Sequence, residues 1–308
     1  MLSARVDSWL ASFAAGGRAL PADASTRYLE TAAGRVRIFD SGGTLPAVLF
    51  VPDGPNVIEH YERLFALLKP HLRVVCFDMP GFGFSLPSAS YTHSLDQGAA
   101  TVMAVLDALK IERTTLAFSC ANGFYALRAA KLAPQRVASL FLAQTPSMPA
   151  MRRWTERIVP GLLRMPVLGQ LAMWITRKRA AHGWYDIALP RGTEREPFRV
   201  PARRALACGA CFSLAGVVQG LVRESDVAVS GVTTPCALVW GVRDHSHKHT
   251  PPASLHDCVP HAELVLFENC GHFPDIEQPE RYARLLVEHV TAHAAAVAAP
   301  DRQPQRST

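Results

Sequence analysis

Between Arg27 and Ser41 polar and apolar residues alternate in R-Y-L-E-T-A-A-G-R-V-R-I-F-D-S, with a break at Ala33-Gly34. Alternation of period two marks half-buried strands, so the stretch predicts two strands joined as a hairpin. Leu45 to Pro52, L-P-A-V-L-F-V-P, is instead a short apolar run between turn formers, the pattern of a strand buried on both faces. Leu72 to Asp78 repeats it and leads into the glycine-rich M-P-G-F-G-F-S. Helical spacing occupies Ile58 to Leu68 and Leu95 to Leu109, and Thr114–Ser119 and R-V-A-S-L-F-L-A after Pro134 are again strand-like. Strands alternating with helices at this rhythm predict a mostly parallel sheet covered on both faces.

The rhythm breaks between Ser147 and Ser225, a segment rich in Arg, Ala, Leu, Met and Trp with helical spacing, interrupted by Pro160, Pro166, Pro190, Pro197 and Pro201. It resumes with Pro235–Gly241, Ala262–Glu268 and a helix from Pro279 to His293. The expected organisation is a core formed by residues 1–146 and 226–293, a helical cap insertion at 147–225, and a flexible tail at 294–308. The first residues carry charges at Arg5 and Asp7, which fits a short amphipathic helix better than a signal peptide. No uninterrupted apolar run reaches membrane-spanning length, and a cytoplasmic location is expected.

Composition adds little to this and removes some alternatives. The 308 residues are 49% hydrophobic and 19% charged, enough for one sizeable core. Seven scattered cysteines do not form a disulfide framework. The net charge of +6 comes largely from arginines in the insertion, with few interleaved aromatics. A solvated helical face that guides an anionic substrate explains them better than a nucleic-acid groove.

The stretch T-T-L-A-F-S-C-A-N-G-F-Y-A-L-R-A-A, Thr114 to Ala130, sets a strand-like run directly against a helix-like one. Such a junction presents one side chain above the sheet and aims the first helical N–H groups at it. Small residues two before and two after the tip favour Ser119, flanked by Ala117 and Ala121, over Cys120, flanked by Phe118 and Asn122. Longer spacing favours the cysteine. L-D-A-L-K-I-E-R, F-S-C-A-N-G-F-Y-A-L and P-Q-R-V resemble segments of the α/β-hydrolase superfamily, and both flanks match without a gap only with Cys120 in the nucleophile's place.

This resemblance implies an α/β-hydrolase fold with a mostly parallel central sheet flanked by helices and a helical cap insertion. V-W-G-V-R-D-H then places Asp244 as the triad acid, and N-C-G-H-F-P-D-I-E-Q-P-E places His272 as the base. The implied catalytic residues are Cys120, His272 and Asp244, with Ser119 the alternative nucleophile. The oxyanion donors implied are the N–H of Ala121 and one from V-P-D-G-P-N-V, where Asp53 replaces the usual histidine and Pro55 has no N–H, leaving Asn56 or Gly54.

The expected activity is hydrolysis of esters or thioesters of a small to medium acyl substrate through an acyl-thioenzyme. An acyltransferase using the same cysteine, or a catalytically impaired ligand-binding relative, are the alternatives. No cofactor and no metal is expected. His245, His247 and His249 alternate but read as a solvated loop, and Cys208–Cys211 is weak evidence for redox or zinc chemistry. Trp154, Leu162, Leu163, Met165, Trp174, Trp184 and Tyr185 are candidates for an acyl pocket. The expected partner is a small-molecule acyl substrate, with a homodimer left open and neither nucleic acid nor membrane involved.

Overall fold

The computed structural model describes residues 2–16, 25–221 and 223–294. The tail expected at 294–308 lies outside them apart from its first residue. The strands are β1 Thr26–Thr31, β2 Gly34–Asp40, β3 Ala47–Val51, β4 Arg73–Phe77, β5 Leu86–Pro87, β6 Thr114–Phe118, β7 Val137–Ala143, β8 Cys236–Gly241 and β9 Glu263–Phe267. The helices are α1 Leu2–Ala15, α2 Glu62–Leu68, α3 Leu95–Ala108, α4 Asn122–Leu132, α5 Met148–Ile158, α6 Leu168–Ala188, α7 Glu196–Ala205, α8 Cys211–Leu221, α9 Pro274–Glu277 and α10 Pro279–Ala294.

The sheet runs β1-β2-β4-β3-β6-β7-β8-β9, with β5 on β2. From β4 to β9 every pairing is parallel, whereas β1 and β2 form the hairpin predicted at Ala33-Gly34 and join β4 antiparallel. The continuous apolar runs are the central strands, β6 and β7 being buried along their whole length. One apolar layer packs α3 and α4 on one face, around Leu106, Leu116, Phe124 and Leu140, and another packs α2 and α10 on the other, around Phe50, Phe65, Phe141 and Leu286. The strand C-terminal ends therefore converge on one edge, the place where such sheets carry their sites.

Between β7 and β8 the chain leaves the sheet and builds α5 to α8, the helical cap that the broken rhythm predicts. Residues 196–221 are long and apolar enough by length and composition to cross a bilayer, but 67% of that window is buried inside the fold. Arg203 and Arg204 interrupt this window in the sequence. It kinks at Gly209, whose φ of 114° suits glycine alone, and a Cβ there would lie 2.9 Å from Ala11 Cα. The first helix thus docks on the cap at a position that only glycine fits. Its inward face is Ala4, Asp7, Ala11 and Ala15, while Trp9 and Phe13 point outward.

Candidate active site

Strand β6 ends at Phe118 and α4 begins at Asn122, leaving three residues for a sharp reversal. Ser119 still behaves as strand, bridging to Ala143, and its hydroxyl donates to Asp275 Oδ2 at 3.1 Å, beneath the sheet edge. Cys120 takes the left-handed conformation, φ 51°, and is the residue that lines the cavity under the cap. Its N–H donates to Ala143 O at 2.7 Å, and its carbonyl accepts the Thr145 hydroxyl at 3.1 Å. The bulky flanks are absorbed outward. Phe118 packs edge-on to Phe77, and Asn122 Nδ2 donates to Pro52 O at 3.1 Å, tying the 52–57 loop to the elbow. Gly123 lets α4 approach, since a Cβ there would lie 2.2 Å from Thr145 Oγ1.

His272 and Asp244 stand together as their motifs imply, His272 Nδ1 lying 2.6 Å from Asp244 Oδ2. Asp244 is fixed by Gln144 Nε2 at 2.8 Å and by the Ser246 N–H at 2.8 Å and hydroxyl at 2.6 Å. Burial alone would raise this carboxyl, but His272, His247 and Ser246 outweigh it and hold it at about 2. It is therefore ionised, and it supports positive charge on the ring. His272 is wholly buried, and burial opposes that charge. Asp244 and the neighbouring groups nevertheless raise its pKa well above the usual histidine value. The cap also holds this residue, because the backbone N–H of His272 donates to Ala188 O at 2.8 Å and Trp184 sits edge-on to the imidazole.

The second ring nitrogen has an unforeseen partner. His272 Nε2 lies 2.9 Å from Asp53 Oδ2, so a carboxyl, an imidazole and a carboxyl form one buried chain. Asp53 lines the cavity beside Cys120. Burial raises its pKa above the ordinary aspartate value, against the His272 hydrogen bond that lowers it. Asp53 stands where the sequence resemblance places a histidine, and nothing local to it signals its partner, 219 residues away. Gln144, with φ 49°, is likewise missed, since it follows β7 with no periodic pattern to mark it.

The oxyanion candidates divide. Ala121 and Gly54 both line the cavity, and the Ala121 N–H reaches the Cys120 sulfur. The Asn56 backbone N–H is instead taken by Asp53 O at 2.8 Å, which removes it as a donor, and the Asn56 side-chain oxygen accepts from the Tyr185 hydroxyl. Pro55 follows a cis peptide bond. Ser85, the last residue of the glycine-rich loop, is buried, with its hydroxyl donating to Asp78 O at 2.7 Å and accepting the Arg37 N–H at 2.8 Å. Neither Ser85 nor Ser119 lines the cavity.

The cavity is about 560 Å³ and largely apolar, floored by Phe82 and roofed by cap residues that include Met173 and Leu214. Of the acyl-pocket candidates, Trp154, Leu163 and Trp184 line it, whereas Leu162 and Met165 are exposed. Trp174 stacks on Phe212, and Tyr185 packs with Phe198 and Phe273. His245 and His249 face solvent, and His247 alone turns inward, stacked on Trp154. Ligand atoms of Cys120, His247 and His272 lie within 4.8 Å of one another. Both His272 nitrogens are committed to carboxylates, so a metal there would have to displace Asp53. Cys208 and Cys211 are free thiols.

Residues 48–285 match the family model described as the alpha/beta hydrolase family. The chain is 26% identical to the 2-hydroxymuconate semialdehyde hydrolase of Pseudomonas sp. strain CF600, over 85% of this chain and 93% of that protein. It is 28% identical to a dihydrolipoyllysine-residue acetyltransferase component of the acetoin cleaving system of Pseudomonas putida, over 95% and 76%. Among solved structures it resembles the haloalkane dehalogenase DbeA of Bradyrhizobium elkani, with a TM-score of 0.70 and 17% identity, covering 88% and 99%.

These findings correct the expectation of a cysteine nucleophile, an acyl-thioenzyme and thioesterase activity. The semialdehyde hydrolase relative points away from thioester chemistry. The site agrees: burial, with Asp53 adding to it, pushes the Cys120 thiol up to about 11, against the pull of His272 and the Ala121 N–H. A thiol so held is not a thiolate at neutral pH, and the thiolate is the nucleophilic form. What remains is the histidine–acid half of a Ser-His-Asp-type triad, Asp244 and His272, extended by Asp53.

Proposed function

Since the chain belongs to the alpha/beta hydrolase family and is an enzyme of that type, we propose that it hydrolyses esters of small, largely apolar carboxylic acids, with water as the attacking group. The observation that carries the reading is the buried Asp53–His272–Asp244 chain at the wall of an apolar cavity. The substrate carbonyl sits above the elbow, where the Ala121 and Gly54 N–H groups polarise its oxygen. The Asp53 carboxylate takes a proton from water as the water oxygen adds to the carbonyl carbon. His272 holds Asp53 in place and steadies its charge, and Asp244 fixes the ring. The tetrahedral intermediate collapses, the alcohol leaves with the proton that Asp53 returns, and the acid is released. Cys120 packs against the acyl carbon as a neutral thiol.

A small organic substrate is in keeping with the semialdehyde hydrolase relative and with the cavity size. The test is turnover of a series of p-nitrophenyl esters by the wild type, Asp53→Asn and His272→Ala. Each variant is expected to lose about 10²–10⁴-fold in kcat/KM. Full activity in both variants would reject the site.

A further inference from the structure

Thirteen large hydrophobic side chains are exposed among the described residues, and five of them fall between residues 162 and 175: Leu162, Met165, Leu168, Leu171 and Ile175. Leu168, Leu171 and Ile175 follow the i, i+3, i+7 spacing and share one face of α6. Isolated exposed leucines mean little, but a contiguous set signals an interaction surface.

Charge singles out the same segment. Residues 157–185 contain Arg157, Arg164, Arg177, Lys178 and Arg179 and no acidic residue. None of the five forms an ion pair among the described residues, whereas Arg152, Arg195, Arg199 and Arg203 elsewhere in the cap are paired with Asp226, Asp186 or Glu196. Arg177 instead lies over the Trp174 ring at 3.9 Å. Pro160, Leu163, Thr176 and Arg179 from this same segment line the cavity, so the patch and the cavity share a wall.

We propose that this face of the cap docks on an anionic lipid surface, with its leucines in the headgroup boundary and its unpaired cations on the lipid phosphates. An amphipathic face with basic flanks is what such a surface binds. A second copy of this chain fits worse, because face-to-face pairing would set Lys178 and Arg179, which flank the leucines on α6, against their own copies. Docking here turns the apolar cavity toward the phase in which apolar esters concentrate. This runs against the expectation of no membrane partner, and because binding is read without turnover, the proposal stands apart from the hydrolytic reading.

The test is co-sedimentation of the full chain with vesicles of phosphatidylcholine alone and with about a third phosphatidylglycerol, at low and high salt. Binding to the phosphatidylglycerol vesicles is expected to exceed that to phosphatidylcholine by about tenfold at low salt and to fall as salt rises. The double variant Leu171→Asp/Ile175→Asp, neither of whose residues lines the cavity, should bind about tenfold less while keeping wild-type hydrolysis of a soluble ester, which shows that it is folded. Three results would overturn the proposal: no binding by the wild type, equal binding by the double variant, or a wild-type dimer in solution that the double variant abolishes.

Discussion

At the scale of single residues, Asp53 decides how the site behaves. Its burial raises its pKa and His272 lowers it, so the basic form grows as pH rises through a value above that of an ordinary aspartate. The rate should therefore rise with pH along that limb. His272→Gln removes the hydrogen bond that lowers Asp53, so the limb should move to higher pH as the rate falls. A pH profile of kcat/KM checks this, and a shift to lower pH would contradict it. Cys120→Ser puts a hydroxyl at the elbow beside His272, and a fluorophosphonate probe should label this variant and leave the wild type unlabelled.

The same residues show what the sequence could reveal. Asp244 and His272 are legible because each lies in a local motif at a strand end or loop. Ser119 and Cys120 cannot be separated by local sterics alone. The structure separates them because Ser119 continues the strand toward Asp275 while Cys120 turns through φ 51° toward the cavity. Asp53 and His272 are brought together only when the 52–57 loop folds over the elbow and is pinned by Asn122. No pattern along the chain encodes that approach.

At the scale of elements, α4 meets the loop after β7 only because residue 123 lacks a side chain. Gly123→Ala would force a methyl against Thr145, and overpacking of this kind costs about 1–3 kcal/mol. Thermal unfolding should show the drop, and the double change Gly123→Ala/Thr145→Ala, which removes both the hydroxyl and the methyl that crowd the new Cβ, should recover part of it.

Helix α1 carries a second strain, the buried Asp7, whose Oδ1 has no partner. Burial raises its pKa from 3.8 to about 7. The folded carboxyl thus prefers to be protonated. The stability this preference contributes is fully present below about 3.8 and is lost as pH rises through about 7. Asp7→Asn should flatten that slope and raise the melting temperature near pH 8 by a few degrees. A steeper slope in the variant would refute the assignment. The helix itself is readable from its amphipathic start, but its docking on the kink at Gly209 is not, since the partner lies almost two hundred residues away.

At the scale of the molecule, the order of strands and helices was the most legible feature, because buried parallel strands are continuous apolar runs and the cap breaks their rhythm. The enclosed chemistry was less so. A strand-to-helix elbow fixes where a reacting group stands but not its protonation, which here depends on burial contributed by the cap and the 52–57 loop together. That burial holds the Cys120 thiol, in the nucleophile's place, in its protonated form. The measurement that tests this most directly is kcat/KM of Cys120→Ala on a soluble p-nitrophenyl ester, with intact-protein mass recorded on the wild type during turnover. Activity within about tenfold of wild type and no acyl adduct are expected. A variant inactive by about a thousandfold or more, with an acyl mass on Cys120 in the wild type, would contradict this expectation.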